Sequence, residues 1–189
     1  MARIRIGIRE ARIEDLGMVV DLWEMLVDFH KQLSPHFAPS EDSREKWSKY
    51  LAKKFSEKST KLVVAEENGD IIGFMLCLLQ PNAPIFKEKT IGVISDVYVT
   101  QEKRKKGITK EMLGVALRWF HKNKISTVSL SVAAANLEAR AVWGQLGFKP
   151  HMIHKRLSLD SYPARELISV PPKTIRKKVV KKRPKREKD

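Results

Sequence analysis

The chain has almost no cysteine: Cys77 stands alone among 189 residues, inside an apolar stretch. A disulfide framework is therefore excluded, and neither a thiol-based active centre nor a zinc cluster has partner residues nearby. Long apolar runs are missing too. The longest nearly unbroken one, Ile71 to Leu79, falls far short of the roughly 20 residues a helix needs to cross a bilayer, so no membrane span is expected. The first residues, Met-Ala-Arg-Ile-Arg-Ile, alternate cations with isoleucine and lack the apolar core and small-residue cleavage site of a secretory signal, which makes a cytoplasmic location the expectation. Neither G-x-x-x-x-G-K-[ST] nor G-x-G-x-x-G occurs, which removes two common nucleotide-binding loops. Acidic residues are scarce at one end: residues 171–189 hold ten Lys/Arg against Glu187 and Asp189, a net +8 of the chain's +15.

What remains has the composition of one soluble domain, 42% apolar and 31% charged, with enough chain for a single core. Ile4, Ile6 and Ile8 alternate with Arg3, Arg5 and Arg9, the period of a half-buried strand. Glu14 and Asp15 precede a helical stripe of Leu16, Val19, Val20, Trp23, Leu26, Val27 and Phe29, which Pro35 stops. Ser40 or Asp42 can cap a second helix through Trp47, Leu51 and Phe55. Asn68-Gly69-Asp70, between Leu62–Ala65 and Ile71–Leu79, predicts an antiparallel hairpin. The β-branched run 92–99 predicts a strand buried on both faces. A polar link, Gln101 to Lys106, leads to an amphipathic helix marked by Ile108, Met112, Val115, Ala116 and Trp119. Ser126–Val132 reads as another strand, Asn136–Leu146 as a helix ended by Gly147, and Phe148–Leu159 as a final strand. From about Ser161 the apolar pattern dissolves, so two regions are expected: a folded unit over 1–160 and a basic, disordered tail over 161–189.

The chemistry concentrates at Arg104-Lys-Lys-Gly-Ile-Thr109, between the buried strand and the helix. Free amides and the helix dipole favour an anion there, and Gly107 allows close backbone approach. The arrangement suits a pyrophosphate; an ordinary basic loop before a helix has the same composition.

The wider run Val97-Tyr-Val-Thr-Gln-Glu-Lys-Arg-Lys-Lys-Gly-Ile-Thr109 resembles motif A of the GNAT N-acetyltransferase superfamily, with its [QR]-x-x-G-x-[GA] signature. Asn136-Leu-Glu-Ala-Arg-Ala-Val-Trp-Gly-Gln-Leu-Gly-Phe148 resembles motif B, and the likeness extends over roughly residues 3–160. The resemblance implies an α/β fold with a mixed, mostly antiparallel sheet, splayed central strands and helices on both faces. It implies acetyl-CoA as co-substrate, with no metal, and N-acetyl transfer to an amine by direct attack, without a covalent enzyme intermediate. By position, Val97, Tyr98 and Val99 would meet the pantetheine arm; the amides of Arg104, Lys105, Lys106, Gly107, Ile108 and Thr109 would hold the pyrophosphate; and Asn136 would help hold the arm, cap its helix, or do both.

The sequence departs from the family pattern at two positions. Thr109 stands where Gly or Ala is usual. Trp143 stands where a tyrosine often protonates the departing thiolate, which an indole cannot do; the resemblance places it at the cofactor as a wall of its channel, with another group or solvent as the acid, or cofactor binding without efficient turnover. Asp96 is the candidate base, although it lies on the opposite face of its strand from residues 97 and 99, and a structural role there is an equal alternative. His151 and His154, three apart on a predicted strand, face opposite sides and so share no metal. His30 and His36 read as surface or loop histidines, and Trp47 and Phe55 as core. A second reading is an acyl-CoA-binding sensor or scaffold whose basic tail engages nucleic acid or the ribosome. The amine acceptor and the oligomeric state are not legible.

Overall fold

The computed structural model describes residues 6–159; Ile4 of the first expected strand and the tail expected over 161–189 lie outside the described residues. Strand β1 (Gly7–Glu10) pairs antiparallel with β2 (Thr60–Glu67), β2 with β3 (Asp70–Pro81), and β3 with β4 (Thr90–Val99). Strand β5 (Val128–Leu130) adds to the other side of β4 in parallel, completing a mixed, mostly antiparallel sheet in the order β1-β2-β3-β4-β5. Asn68 at φ 56° and Gly69 at φ 92° form the two-residue turn that joins β2 to β3. Both angles are left-handed, the geometry that matches a hairpin's twist and that Asn-Gly adopts most readily.

Helices cover both faces. On one, α1 (Leu16–Leu33) and α2 (Ser43–Phe55) bury Val19, Leu22, Leu26, Trp47 and Leu51 against Leu62, Val64, Phe74 and Leu76. Trp23 and Trp47 stack at 4.6 Å and 10°, locking the two helices together. On the other face, α3 (Ile108–Lys122) buries Ile108, Met112, Ala116 and Phe120 against Val63, Met75, Cys77 and Ile94. Trp143, Leu146 and Phe148, from and just after α4 (Leu137–Gln145), pack at the margin of that second cluster. Asp15 is the buried acid among the described residues: it does not simply face the dipole of α1 but accepts from Arg9 Nη1 and Nη2 and from the Arg12 amide, tying β1 to the helix start. No helix among the described residues is long and apolar enough to cross a membrane.

Three expectations are revised. Strand β4 is not buried on both faces throughout: Gly92, Ile94 and Val99 are buried, whereas Ser95 is exposed and Asp96, Val97 and Tyr98 are only partly covered. Strand β5 is shorter than Ser126–Val132. Residues 148–158 form no strand, and Met152, Ile153, Leu157 and Leu159 are exposed. Alternating apolar residues specify which face would be buried, but a strand also needs a hydrogen-bonding neighbour, and the composition of that neighbour is not written in the segment itself.

Candidate active site

The site begins where β4 loses one of its neighbours. Pairing with β5 runs only from Gly92↔Val128 to Ile94↔Leu130, and from Ser95 onward β4 keeps β3 alone. A bulge marks the junction: Leu76 pairs with Asp96 and Cys77 with Ile94, leaving Ser95 as an extra residue. The bulge resets the alternation. Ile94, Val97 and Val99 all contribute to the α3 side, while Tyr98 packs on the α1–α2 side, and Asp96 shares the face of Tyr98.

Backbone directions follow from the ladder. The Thr100 amide donates to Ile72 O at 2.9 Å, which makes Gly73↔Val99 a narrow pair, and by alternation Met75↔Val97 is another. The N–H and C=O groups of Val97 and Val99 therefore point away from β3, into the gap that β5 has left.

That open edge leads into a row of free donors. Gly107, at φ 80°, ends the loop in the left-handed region, and the Glu111 amide is the first in α3 to find a backbone acceptor, on Gly107 O at 3.1 Å. The amides of Lys105 through Lys110 have no acceptor among the described residues. A Cβ built on Gly107 would meet nothing within 4 Å, so the backbone there faces open space. Ile108 is buried and fixes the first turn of the helix in the core, while Lys105 and Lys106 are exposed at its mouth and Thr109 is partly covered. The residues present fit an anionic, amide-bearing ligand laid along β4 with its phosphates at the start of α3.

Arg104 does not join this row. Its amide donates to Gln101 O at 3.3 Å, its Nε donates to Val99 O at 3.1 Å, and its guanidinium lies 5.5 Å from the ring centroids of both Phe29 and Tyr98. The aromatic faces attract the planar cation and hold it on the α1 side of β4.

Asp96 lies on the same side. Burial pushes its carboxyl above the ordinary value; a hydrogen bond from Ser95 Oγ at 2.6 Å, the charge of His30 and hydrogen bonding by Trp23 pull the other way. His30 is held below its ordinary value by burial, opposed by the charge of Asp96. A carboxylate with a raised pKa beside an open strand edge can accept a proton from an ammonium group. Asn136 caps α4, its Oδ1 accepting from the Ala139 amide at 3.0 Å. Trp143 packs edge-on against Phe148, with centroids 5.3 Å apart and an interplanar angle of 75°. His36, His151 and His154 are exposed, and among the described residues no group of three or more His, Cys, Asp or Glu is placed to hold a metal ion.

The model of the acetyltransferase (GNAT) family matches residues 21–148, from α1 through the end of α4. The chain belongs to the GNAT acetyltransferase family. Among its GNAT relatives, the uncharacterized N-acetyltransferase YhfO of Bacillus subtilis (strain 168) is 24% identical over 144 residues, covering 76% of this chain and 90% of that protein. A predicted acetyltransferase from Clostridium acetobutylicum, solved with acetyl-CoA, superposes with a TM-score of 0.68 at 21% identity, covering 84% of this chain and 99% of the other. The aminoglycoside N-acetyltransferase AAC(6')-Iy, solved with CoA, superposes with a TM-score of 0.64 at 17% identity, covering 83% and 98%.

The surroundings of β4 that the sequence does not show come from α1. Trp23, Phe29 and His30 reach the α1 side of β4 from positions about 70 residues earlier in the chain, and only the helical stripe hinted that they share a face. Trp47, read as core, is core; Phe55 packs against the same cluster.

Proposed function

We propose that the protein is an N-acetyltransferase that moves an acetyl group from acetyl-CoA to a primary amine, both substrates being bound together when the amine attacks. The observation that carries this reading is the continuity of main-chain groups from the open edge at Val97 and Val99 to the unpaired amides of Lys105–Lys110. An extended amide-bearing arm pairs with the first, and a pyrophosphate is held by the second. The acetyl-CoA and CoA in the related structures support the choice of cofactor.

Bound acetyl-CoA supplies the acyl group as an activated thioester. The chain supplies the rest. Val97 and Val99 fix the direction of the arm, and an N–H of this edge is a donor for charge developing on the carbonyl oxygen. Asp96 takes the proton that the ammonium must lose before its nitrogen can attack. Trp143 offers no acid for sulfur, so the departing thiolate is left to solvent.

Residues 1–160 form the catalytic unit in this proposal, and 161–189 a basic extension. Its net +8 over 171–189 favours nucleic acid through counterion release, and such binding falls steeply with salt and disappears on deletion of 165–189.

Calorimetric titration with acetyl-CoA tests the central reading. The native chain is expected to bind. Gly107→Glu, which puts a carboxylate among the amides, is expected to fold at a local cost of about 1–2 kcal/mol and lose that binding. Absence of binding by the native chain overturns the proposal.

A further inference from the structure

We infer that Arg104 recognises an anionic group on the acceptor, and that the acceptor is a primary amine carrying a carboxylate. The inference rests on the acetyltransferase reading above and names the substrate class of the same site. Three observations carry it.

The first is rigidity. Arg104 is held by two aromatic faces, each 5.5 Å away, and by its own Nε on Val99 O, so Nη1 and Nη2 are presented as a fixed fork. A fork of this kind matches a carboxylate with two parallel hydrogen bonds.

The second is charge. Arg9 is paired with Asp15 and Glu66, Arg44 with Asp21 and Glu24, and the neighbouring Lys103 with Glu67. Arg104 is partly buried and has no carboxylate partner among the described residues. A partly desolvated cation without a counter-ion gains most from an incoming anion.

The third is placement. Arg104 stacks on Tyr98, on the α1 side of β4, the face shared by Asp96. The side chains of Val97 and Val99 lie on the opposite face. Asp96 and Tyr98 are two strand residues apart, roughly 7 Å. An acceptor can therefore present its ammonium to Asp96 and its carboxylate to Arg104 on one face of β4. A flexible ω-amino acid, or the side-chain amine of a lysine with a free carboxylate, can bring both groups to this face. A diamine brings a second ammonium against the guanidinium and is disfavoured.

The test uses full-length protein and three matched acceptors: 6-aminohexanoate, 6-aminohexanamide and 1,6-diaminohexane. Free-thiol release measures kcat and KM for the native chain, Arg104→Gln and Arg104→Lys, and calorimetry measures acetyl-CoA affinity for each. The native protein is expected to favour the acid over the amide by about tenfold or more in kcat/KM. Arg104→Gln is expected to erase that ratio, and Arg104→Lys, which keeps the charge without the fork, to retain part of it. Acetyl-CoA affinity is expected to change less than the acid preference does, since Arg104 touches the cofactor edge only through Val99 O.

Equal use of acid and amide by the native protein overturns the inference. So does a loss of acetyl-CoA affinity in Arg104→Gln with the acid preference intact, which would assign Arg104 to the cofactor phosphates. If none of the three amines turns over, saturation-transfer NMR with 6-aminohexanoate decides, on protein with and without CoA: binding lost in Arg104→Gln supports the inference and absence of binding overturns it. If Arg104→Gln does not fold, Arg104→Lys carries each comparison. Failure of acetyl-CoA to bind the native chain refutes the acetyltransferase reading by itself, and the NMR measurement on unloaded protein still judges Arg104.

Discussion

Replacing Asp15 with alanine removes the acceptor of three hydrogen bonds at once: from Arg9 Nη1 at 2.6 Å, from Arg9 Nη2 at 2.9 Å and from the Arg12 amide at 2.6 Å. The side chain of Asp15 is 3% exposed and that of Arg9 25%, and Arg9 keeps Glu66 at 2.6 Å as a second partner. Removing one partner of a buried pair costs about 3–5 kcal/mol. The water and the carboxylate still available to Arg9 place this case at the lower end, about 3 kcal/mol, which for a unit of this size is a fall in Tm of roughly 6–12 °C. Asp15→Asn keeps the shape and one acceptor, and its expected cost is about 1–2 kcal/mol. The hydrogen bonds from Arg9 hold the Asp15 carboxyl below its ordinary value of 3.8. A carboxylate lowered in the folded state contributes stability that is present above its unfolded pKa and is lost as pH falls through the folded one. The gap between native protein and Asp15→Asn should therefore be constant near neutrality and close below about pH 3.8. Urea denaturation followed by circular dichroism at pH 7, 5 and 3 measures it. A cost for Asp15→Ala under about 1 kcal/mol at pH 7, or a gap that widens in acid, refutes the reasoning.

Asp96→Asn should lower kcat by about 10²–10⁴ and raise Tm at pH 7, because an acid whose folded pKa is raised by burial loses stability as pH rises through that value; unchanged kcat removes Asp96 from the reaction. Trp143→Tyr should weaken packing against Phe148 by about 1 kcal/mol without speeding turnover, and a rise in kcat of about tenfold would show that a missing acid limits the native enzyme. Gly92→Ala should cost about 1–3 kcal/mol in urea unfolding, since the new Cβ would lie 2.6 Å and 2.7 Å from ring carbons of the buried Phe120; a neutral result would mean the ring yields freely.

Much of this architecture was legible because it is written locally. Asn68-Gly69 specifies its own hairpin, the stripe from Leu16 to Phe29 its own helix, and Gly147 at φ 94° its own helix end. The loop before α3 was legible for the same reason, since a strand, a glycine and a helix start are consecutive. What escaped depends on distant residues. Ser95 looks like any strand residue, and only the opposing register of Leu76 and Cys77 makes it a bulge. Arg104 belongs to a basic run whose composition suggested phosphate contacts, yet Phe29, 75 positions earlier, and Tyr98 hold its side chain. His30 read as a loop histidine because its neighbour across the site, Asp96, is contributed by another element. The segment after Phe148 erred in the opposite direction: its local pattern was that of a strand, and pairing was what it lacked.

The donors of Val97, Val99 and Lys105–Lys110 are peptide groups, and a peptide group is the same whichever side chain it carries. On the proposed reading, the grip on acetyl-CoA is thus nearly indifferent to residue identity, apart from the left-handed turn at Gly107 and the apolar anchor of Ile108. The opposite face is assembled from Trp23, Phe29, His30, Asp96 and Arg104, where any exchange alters chemistry directly. If the proposed sites hold, retargeting such a scaffold to a new amine is a matter of rewriting one helix and its facing strand positions, with the cofactor grip carried along unaltered.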